Sequence, residues 1–333
     1  MKGKKAFLTF AVSAVAGLIF VAASGGKNPY TMHTVKKGES ISLICIDLYG
    51  HYAAEVGEII RHDNPSVKDI NIIHVGQKLK LRKPGARVGA KPDKVEVGKT
   101  SPNASPLAGQ VIEKKVNATQ GVVTYVQGSA FLTRKKTASK SALGANTVLY
   151  PGDVIETAAN GRVEVIINRE SVVRLKEATR LTIGAFRDNA GQRGTSEVKF
   201  SIGSVWAKVR KFRDDICRFQ LELPTALAGV HGTVYQSTVN SDESVDVKVY
   251  SGEVQVQQHS SAGGGSPGPS EVPGPHEVSM EQWTHIVRSM QQIHIGNDGS
   301  AQEPESFEKN PDDDWERWNE ERDERIAHLF AEI

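Results

Sequence analysis

The sequence predicts a multidomain chain that is α+β near its start, all-β through its middle and helical towards its end. Three observations carry that expectation. Two stretches short of large apolar residues, 85–118 and 259–275, separate compact blocks. Between them, residues 119–258 alternate apolar and polar positions in short runs with no helical stretch. The blocks at 30–84 and 276–333 instead space apolar residues by three and four. With 38% hydrophobic and 24% charged residues, the 333-residue chain can support one or two ordinary cores plus linkers. A single long apolar run excludes a multi-span membrane protein.

That run comes first. Lys2, Lys4 and Lys5 precede an apolar or small-residue stretch from Ala6 to Ala23, closed by Ser24, which reads as a secretory signal peptide over 1–24. Export to the periplasm or cell envelope follows, and a membrane is a partner only if the segment stays uncleaved. Export also allows disulfides. Cys45 and Cys217 nevertheless fall on apolar faces of different blocks, and buried free thiols are expected.

In the block at 30–84, His33-Thr34-Val35 reads as a strand and Gly38-Glu39-Ser40 as a turn into a helix, where Ile41, Ile44, Cys45 and Leu48 recur at helical spacing. A second helix covers Ala54 to His62 and stops at Asn64-Pro65, because proline blocks continuation. A turn and strand through Ile73-His74-Val75-Gly76-Gln77-Lys78-Leu79 complete a βααβ order. His33, His51, His62 and His74 match no metal-ligand spacing, and no cofactor motif is present.

On Gly38-Glu39-Ser40-Ile41, the Asn64-Pro65 break and Ile73 to Leu79, residues 31–83 resemble a LysM (lysin motif) domain. The resemblance implies weak binding of peptidoglycan or another N-acetylglucosamine polymer in a shallow groove between two loops. The contacts it implies are Gly38, Glu39, Ser40 and Ile41 on one side, and Ile70, Asn71, Ile72 and Ile73 on the other. Exposed backbone N–H and C=O groups at these turns suit an acetamido group, with Ile41 and Ile72 as an apolar floor for its methyl. Residues 85–118 then read as a flexible linker, which would let the next domain sample roughly 30 Å.

Ten strands are expected in 119–258: Val122–Val126, Val163–Ile167, Val172–Leu175, Leu181–Ile183, Val198–Ile202, Val205–Val209, Phe219–Leu223, Val234–Val239, Val245–Tyr250 and Val254–Val256. Gly128, Gly152, Gly161, Gly203, Gly232 and Gly252 read as turns among them. A sandwich, barrel or β-roll would satisfy this pattern. The ordered elements Gly121-Val122-Val123, Tyr150 to Thr157, Ile202-Gly203-Ser204-Val205-Trp206, Leu223-Pro224-Thr225-Ala226 with Gly232-Thr233, and Val249 to Val254 resemble a FecR domain. Proteins of that kind relay a periplasmic signal to a cytoplasmic sigma factor. Only five residues precede the apolar segment here, so the expectation is a periplasmic interaction or sensing module with an envelope protein as partner.

Past the Gly/Pro linker at 259–275, residues 276–333 read as an amphipathic helical tail. Ser279 with Gln282 forms a capping-box pattern before Met280, Trp283, Val287 and Met290, giving a helix over 280–292. A second helix runs from about Asp313 to Phe330, with Trp315, Trp318, Arg322, Ile326 and Leu329 on one stripe expected to dock on the β domain. Residues 300–333 carry twelve acidic and four basic side chains, against a chain net charge of +2. The balance gives no basic footprint for nucleic acid. The acidic tail offers an internal partner for the basic run Lys208, Arg210, Lys211 and Arg213.

No catalytic constellation stands out, and a non-enzyme is expected. Cys217 lacks the context of an activated thiol despite His231-Gly232. Ser196 and Lys199 would face opposite sides of a strand. The reading is a non-catalytic envelope protein that tethers to glycan and presents a FecR-type domain. The alternative is a periplasmic signalling component whose FecR domain binds a membrane receptor.

Overall fold

In the computed structural model, which describes residues 28–86, 107, 110–115, 120–186, 195–211, 219–258 and 283–330, the first block takes the expected order. Strand β1 (Tyr30–Thr34) lies antiparallel to β2 (Lys78–Arg82), and helices α1 (Ile41–Tyr49) and α2 (Ala54–Asp63) connect them. Ser40, extended at φ −126°, caps α1 by accepting from the Leu43 amide at 3.2 Å. α2 ends where Asn64 takes over its hydrogen bonding. The Asn64 amide donates to the Ile60 and Lys80 carbonyls (2.7 and 2.9 Å) and accepts from Lys80 N at 2.7 Å. The signal segment 1–24 and the linker 259–275 lie outside the described residues, as do Arg213 and Cys217.

Part of the stretch expected to be flexible is docked. Arg82, paired with Asp63 at 2.6 Å and buried, turns the rest of its guanidinium to the Leu107 and Gln110 carbonyls at 3.1 and 2.6 Å. Gly85 N donates to Ile112 O, Lys115 N donates to Tyr49 O, and the Ile112 side chain is buried. Residues 107 and 110–115 therefore belong to the N-terminal module. One apolar residue and a buried arginine in need of acceptors outweigh a polar composition.

The β domain comprises β3 (Gly121–Gln127), β4 (Ala130–Thr133), β5 (Lys140–Ala142), β6 (Val148–Leu149), β7 (Val154–Thr157), β8 (Arg162–Ile167), β9 (Ser171–Leu175), β10 (Arg180–Ile183), β11 (Ser196–Val209), β12 (Phe219–Glu222), β13 (Ala226–Val239) and β14 (Val245–Gln258). Three more strands, β15 (Thr284–Arg288), β16 (Gln291–Ile295) and β17 (Glu305–Ser306), extend it to fifteen hydrogen-bonded strands, followed by helix α3 (Asp314–Phe330). All neighbouring pairs are antiparallel except β11 with β12.

Gly203, Gly232 and Gly252 are not hairpin turns. Each lies inside a continuous 14-residue strand, β11, β13 or β14. At Gly203 the chain takes φ +102° against the Thr179 hydroxyl, and β11 changes partners there. Its first half pairs with β10 and β12, its second with β9 and β13. At Gly252, with φ +84°, a Cβ would lie 2.4 Å from the Gly232 carbonyl, so only glycine lets β13 and β14 cross at their shared bend. These bends curl the network into a barrel-like form around a core that includes Val163, Val165, Phe200, Phe219, Tyr235 and Val247.

The helix expected over 280–292 is instead, in its described part, a pair of consecutive strands laid end to end along β14. β15 pairs with the second half of β14 and β16 with the first, and the run bends between them at Met290, which takes φ +61° and donates its N–H to Val249 O. The buried side chains Val287, Ile293 and Ile295 follow a period of two. An unpaired edge on β14 rewards that conformation more than a single apolar stripe rewards a helix. The second tail helix is found as α3, its buried stripe formed by Trp315, Glu316, Asn319, Arg322, Ile326 and Leu329.

Candidate functional site

Three elements meet above α1: the two loops of the N-terminal module, the β3–β6 edge of the β domain, and α3. A continuous apolar cluster joins them, with Ile41, Ile44 and Leu79 of the module against Val122, Ile166 and Val172 of the β domain and Ile326 and Leu329 of α3.

Along the first loop, Gly38 keeps its turn at φ +80°, and its carbonyl accepts from Arg322 Nη1 at 2.9 Å. Arg325 donates to the carbonyl of Lys37. Glu39 is held internally, accepting from Lys36 N at 2.7 Å and meeting His33 Nε2 at 2.8 Å. Ser40 is the buried helix cap. Ile41 is fully buried in the module core and supplies no exposed floor. A side chain at the first position of α1 points into the module, a direction that spacing alone does not reveal.

Across the groove, Ile72 is 57% exposed, whereas Ile70 and Ile73 pack partly on the core. Between the two loops stands a residue absent from the sequence reading. Asn146, in left-handed backbone at φ +66°, accepts from Ser42 N at 2.7 Å and donates to Ile70 O and Asn71 Oδ1, both at 3.1 Å. Its amide donates to Val123 O, the same carbonyl that receives Ser42 Oγ. The only advance sign of Asn146 was a Gly144-Ala145-Asn146 turn sequence.

Two clefts flank this contact. One, about 450 Å³, lies between the first loop and α3, where His328 and Asp47 approach to 3.1 Å. The other, about 650 Å³, is bounded by Tyr52 to Glu55 and by residues 146–151, with Tyr150 largely exposed.

Behind α3 lies a buried ionic cluster. Glu164 accepts from Arg322 Nη2 and Nε (2.5 and 3.0 Å), Arg174 Nε (2.8 Å) and the Thr124 hydroxyl (2.8 Å). Arg174 also pairs with Asp323 at 2.7 Å, and Lys208 reaches Asp323 at 3.4 Å, so one member of the basic run meets the acidic tail. Burial alone would raise the Glu164 carboxyl, but the Arg322 and Arg174 charges and hydrogen bonds outweigh it and hold it at about 2. Charges inside the runs Val163-Glu164-Val165 and Val173-Arg174-Leu175 were a legible sign of this cluster. Beside it, Trp206 and Tyr250 pack with ring centres 4.4 Å apart and planes tilted by 34°, and the Tyr250 hydroxyl donates to Glu316 at 2.6 Å under the parallel pair Trp315 and Trp318. Burial and the Glu316 carboxylate push the Tyr250 phenol well above its ordinary range.

Ser196 is buried while Lys199 points to solvent and pairs with Glu222, so the two do not converge. Among the described residues, no group of three or more His, Cys, Asp or Glu side chains is placed to hold a metal. Among them also, no helix is long and apolar enough to cross a membrane.

The fold and this junction define a β-rich module clasped by two smaller elements, the N-terminal βααβ module and α3. Residues 153–255, from the start of β7 into β14, match the family model described as FecR protein. Two crystal structures of a protein from Parabacteroides distasonis, provisionally described as an anti-sigma factor, are similar at 17% identity and a TM-score of 0.33. The similarity covers 46% of this chain and 60% of theirs, so it spans less than two thirds of their length. No curated protein matches the chain.

Proposed function

We propose that this chain is a non-catalytic regulatory protein of the cell envelope, whose FecR-type β domain binds a membrane-protein partner while the N-terminal module and α3 hold that domain in place. The observation that carries the reading is the FecR match itself. It falls on β7 to β14, the strands that supply Arg174 and Tyr250 to the α3 junction and Val172 to the module. The reading includes export directed by residues 1–24. Cross-linking in intact cells, followed by purification of the full chain, tests it. An inner- or outer-membrane protein should co-purify, and recovery without any membrane protein would refute it.

A specific observation favours a second, compatible role: tethering to peptidoglycan through the LysM-like module. Ser42 N–H and Ile70 C=O face each other across the groove at a spacing that grips a carboxamide. Retention of the chain on detergent-washed sacculi tests this role.

A further inference from the structure

We infer that Asn146 is a built-in occupant of an amide-binding cleft, so that an external N-acetylated sugar and the docked β domain exclude each other. The inference rests on the tethering role just described and adds its control.

The three contacts of Asn146 leave no ambiguity in its orientation. Ser42 N can only donate and Ile70 O can only accept, so the Asn146 oxygen faces α1 and its nitrogen faces residues 70–71. Both partners are backbone groups, one in the first turn of α1 and one in the second loop that lines the groove. Ser42 is the second residue of α1, and its amide has no acceptor within the helix. A N-substituted acetamide keeps the carbonyl acceptor and one N–H donor of this carboxamide, with the sugar carbon in place of the second N–H. It would meet Ser42 N and one acceptor at residues 70–71.

Asn146 does not reach the cleft by chance of a long side chain. It holds left-handed backbone at φ +66°, which asparagine tolerates better than most residues. The bonds from Asn146 N and Ser42 Oγ to Val123 O tie both sides of the contact to β3. On the other flank, Arg322 and Arg325 hold the carbonyls of Gly38 and Lys37. The β domain thus fills the groove from one side while α3 occupies its rim from the other. Engagement of glycan requires the module to part from the β domain, which couples wall contact to the exposure of Asn146 and its edge.

The test measures hydrogen exchange at the Ser42 amide in the full chain, with and without tetra-N-acetylchitotetraose, and with the deacetylated tetrasaccharide as control. Asn146→Gly removes the carboxamide and suits the left-handed backbone. Asn146→Asp keeps the size but cannot donate to Ile70 O or Asn71 Oδ1. Asn146→Gly should speed exchange at Ser42 by roughly tenfold or more, whereas Asn146→Asp, whose carboxylate still accepts from Ser42 N, should not. The acetylated sugar alone should restore protection in Asn146→Gly, and at a concentration roughly tenfold lower than in the wild-type chain. Unchanged exchange in Asn146→Gly would overturn the occupancy of the cleft by Asn146. Faster exchange that the acetylated sugar fails to reverse would overturn the ligand class, and the tethering role with it.

Discussion

Replacing Glu164 with glutamine should remove the charge at the centre of the α3 junction while keeping its shape. The carboxylate is completely buried and neutralises Arg174 and Arg322, and Arg322 has no second carboxylate within ion-pair distance among the described contacts. Removing one partner of a buried pair costs about 3–5 kcal/mol, because the remaining charge stays desolvated. The acid limb gives an independent figure. The folded carboxyl sits at about 2 against an ordinary value of 4.5, a difference of roughly 3 kcal/mol. Because the folded value is the lower one, this stabilisation is fully present above pH 4.5 and is lost as the pH falls towards 2. Urea unfolding of wild type and Glu164→Gln, followed by tryptophan emission and circular dichroism at pH 7 and near pH 2.5, should show two curves that converge in acid. A variant within about 1 kcal/mol of wild type at pH 7, or one displaced equally at both pH values, would refute the reasoning.

Other perturbations test neighbouring parts of the fold. Trp315→Ala empties a fully buried site stacked on Trp318 at 5.2 Å; a loss of about 3–5 kcal/mol is expected, with trypsin then cutting within α3 in the otherwise folded protein. Resistance of α3 equal to wild type would contradict the packing. Asn64→Ala leaves the Ile60 and Lys80 backbone groups without partners and should cost about 2–3 kcal/mol in thermal or urea unfolding. Cys45 is buried, and burial pushes its thiol well above the ordinary range, so iodoacetamide should label it only in denaturant. Modification of Cys45 in the native protein at neutral pH would show that α1 is not packed as described.

The N-terminal module was legible because its stop signals are chemical. Ser40 caps, Asn64-Pro65 breaks, and the helices fall between them. α3 was legible for a similar reason, since Trp315, Ile326 and Leu329 keep one face over more than three turns. The β domain was legible as strands but not as a topology. Glycine marks both a turn between strands and a bend inside a long strand, and only the pairing tells Gly128 from Gly252. The two strands over 284–295 were missed because their decisive partner, the open edge of β14, lies some thirty to fifty residues upstream. For the groove, the loops were located but their occupants were not. Asn146, Arg322 and Arg325 reach it from 70 to 290 positions away, and local spacing carries no record of contacts that distant.

Those separations also impose an order of assembly. Glu164 and Arg174 are neighbours across β8 and β9, whereas Arg322 joins them from 158 positions further along the chain. Contacts of that span form slowly, since the intervening chain must be closed before they yield anything. The strands can therefore pair while the cluster still lacks one cation and the Trp206–Tyr250 face still lacks its cover. A chain clipped before residue 314 would be arrested at that stage, with Glu164 short of the Arg322 hydrogen bonds and an aromatic surface open to solvent. Proteolysis of one exposed segment would then act as a maturation defect, turning a closed protein into one prone to self-association.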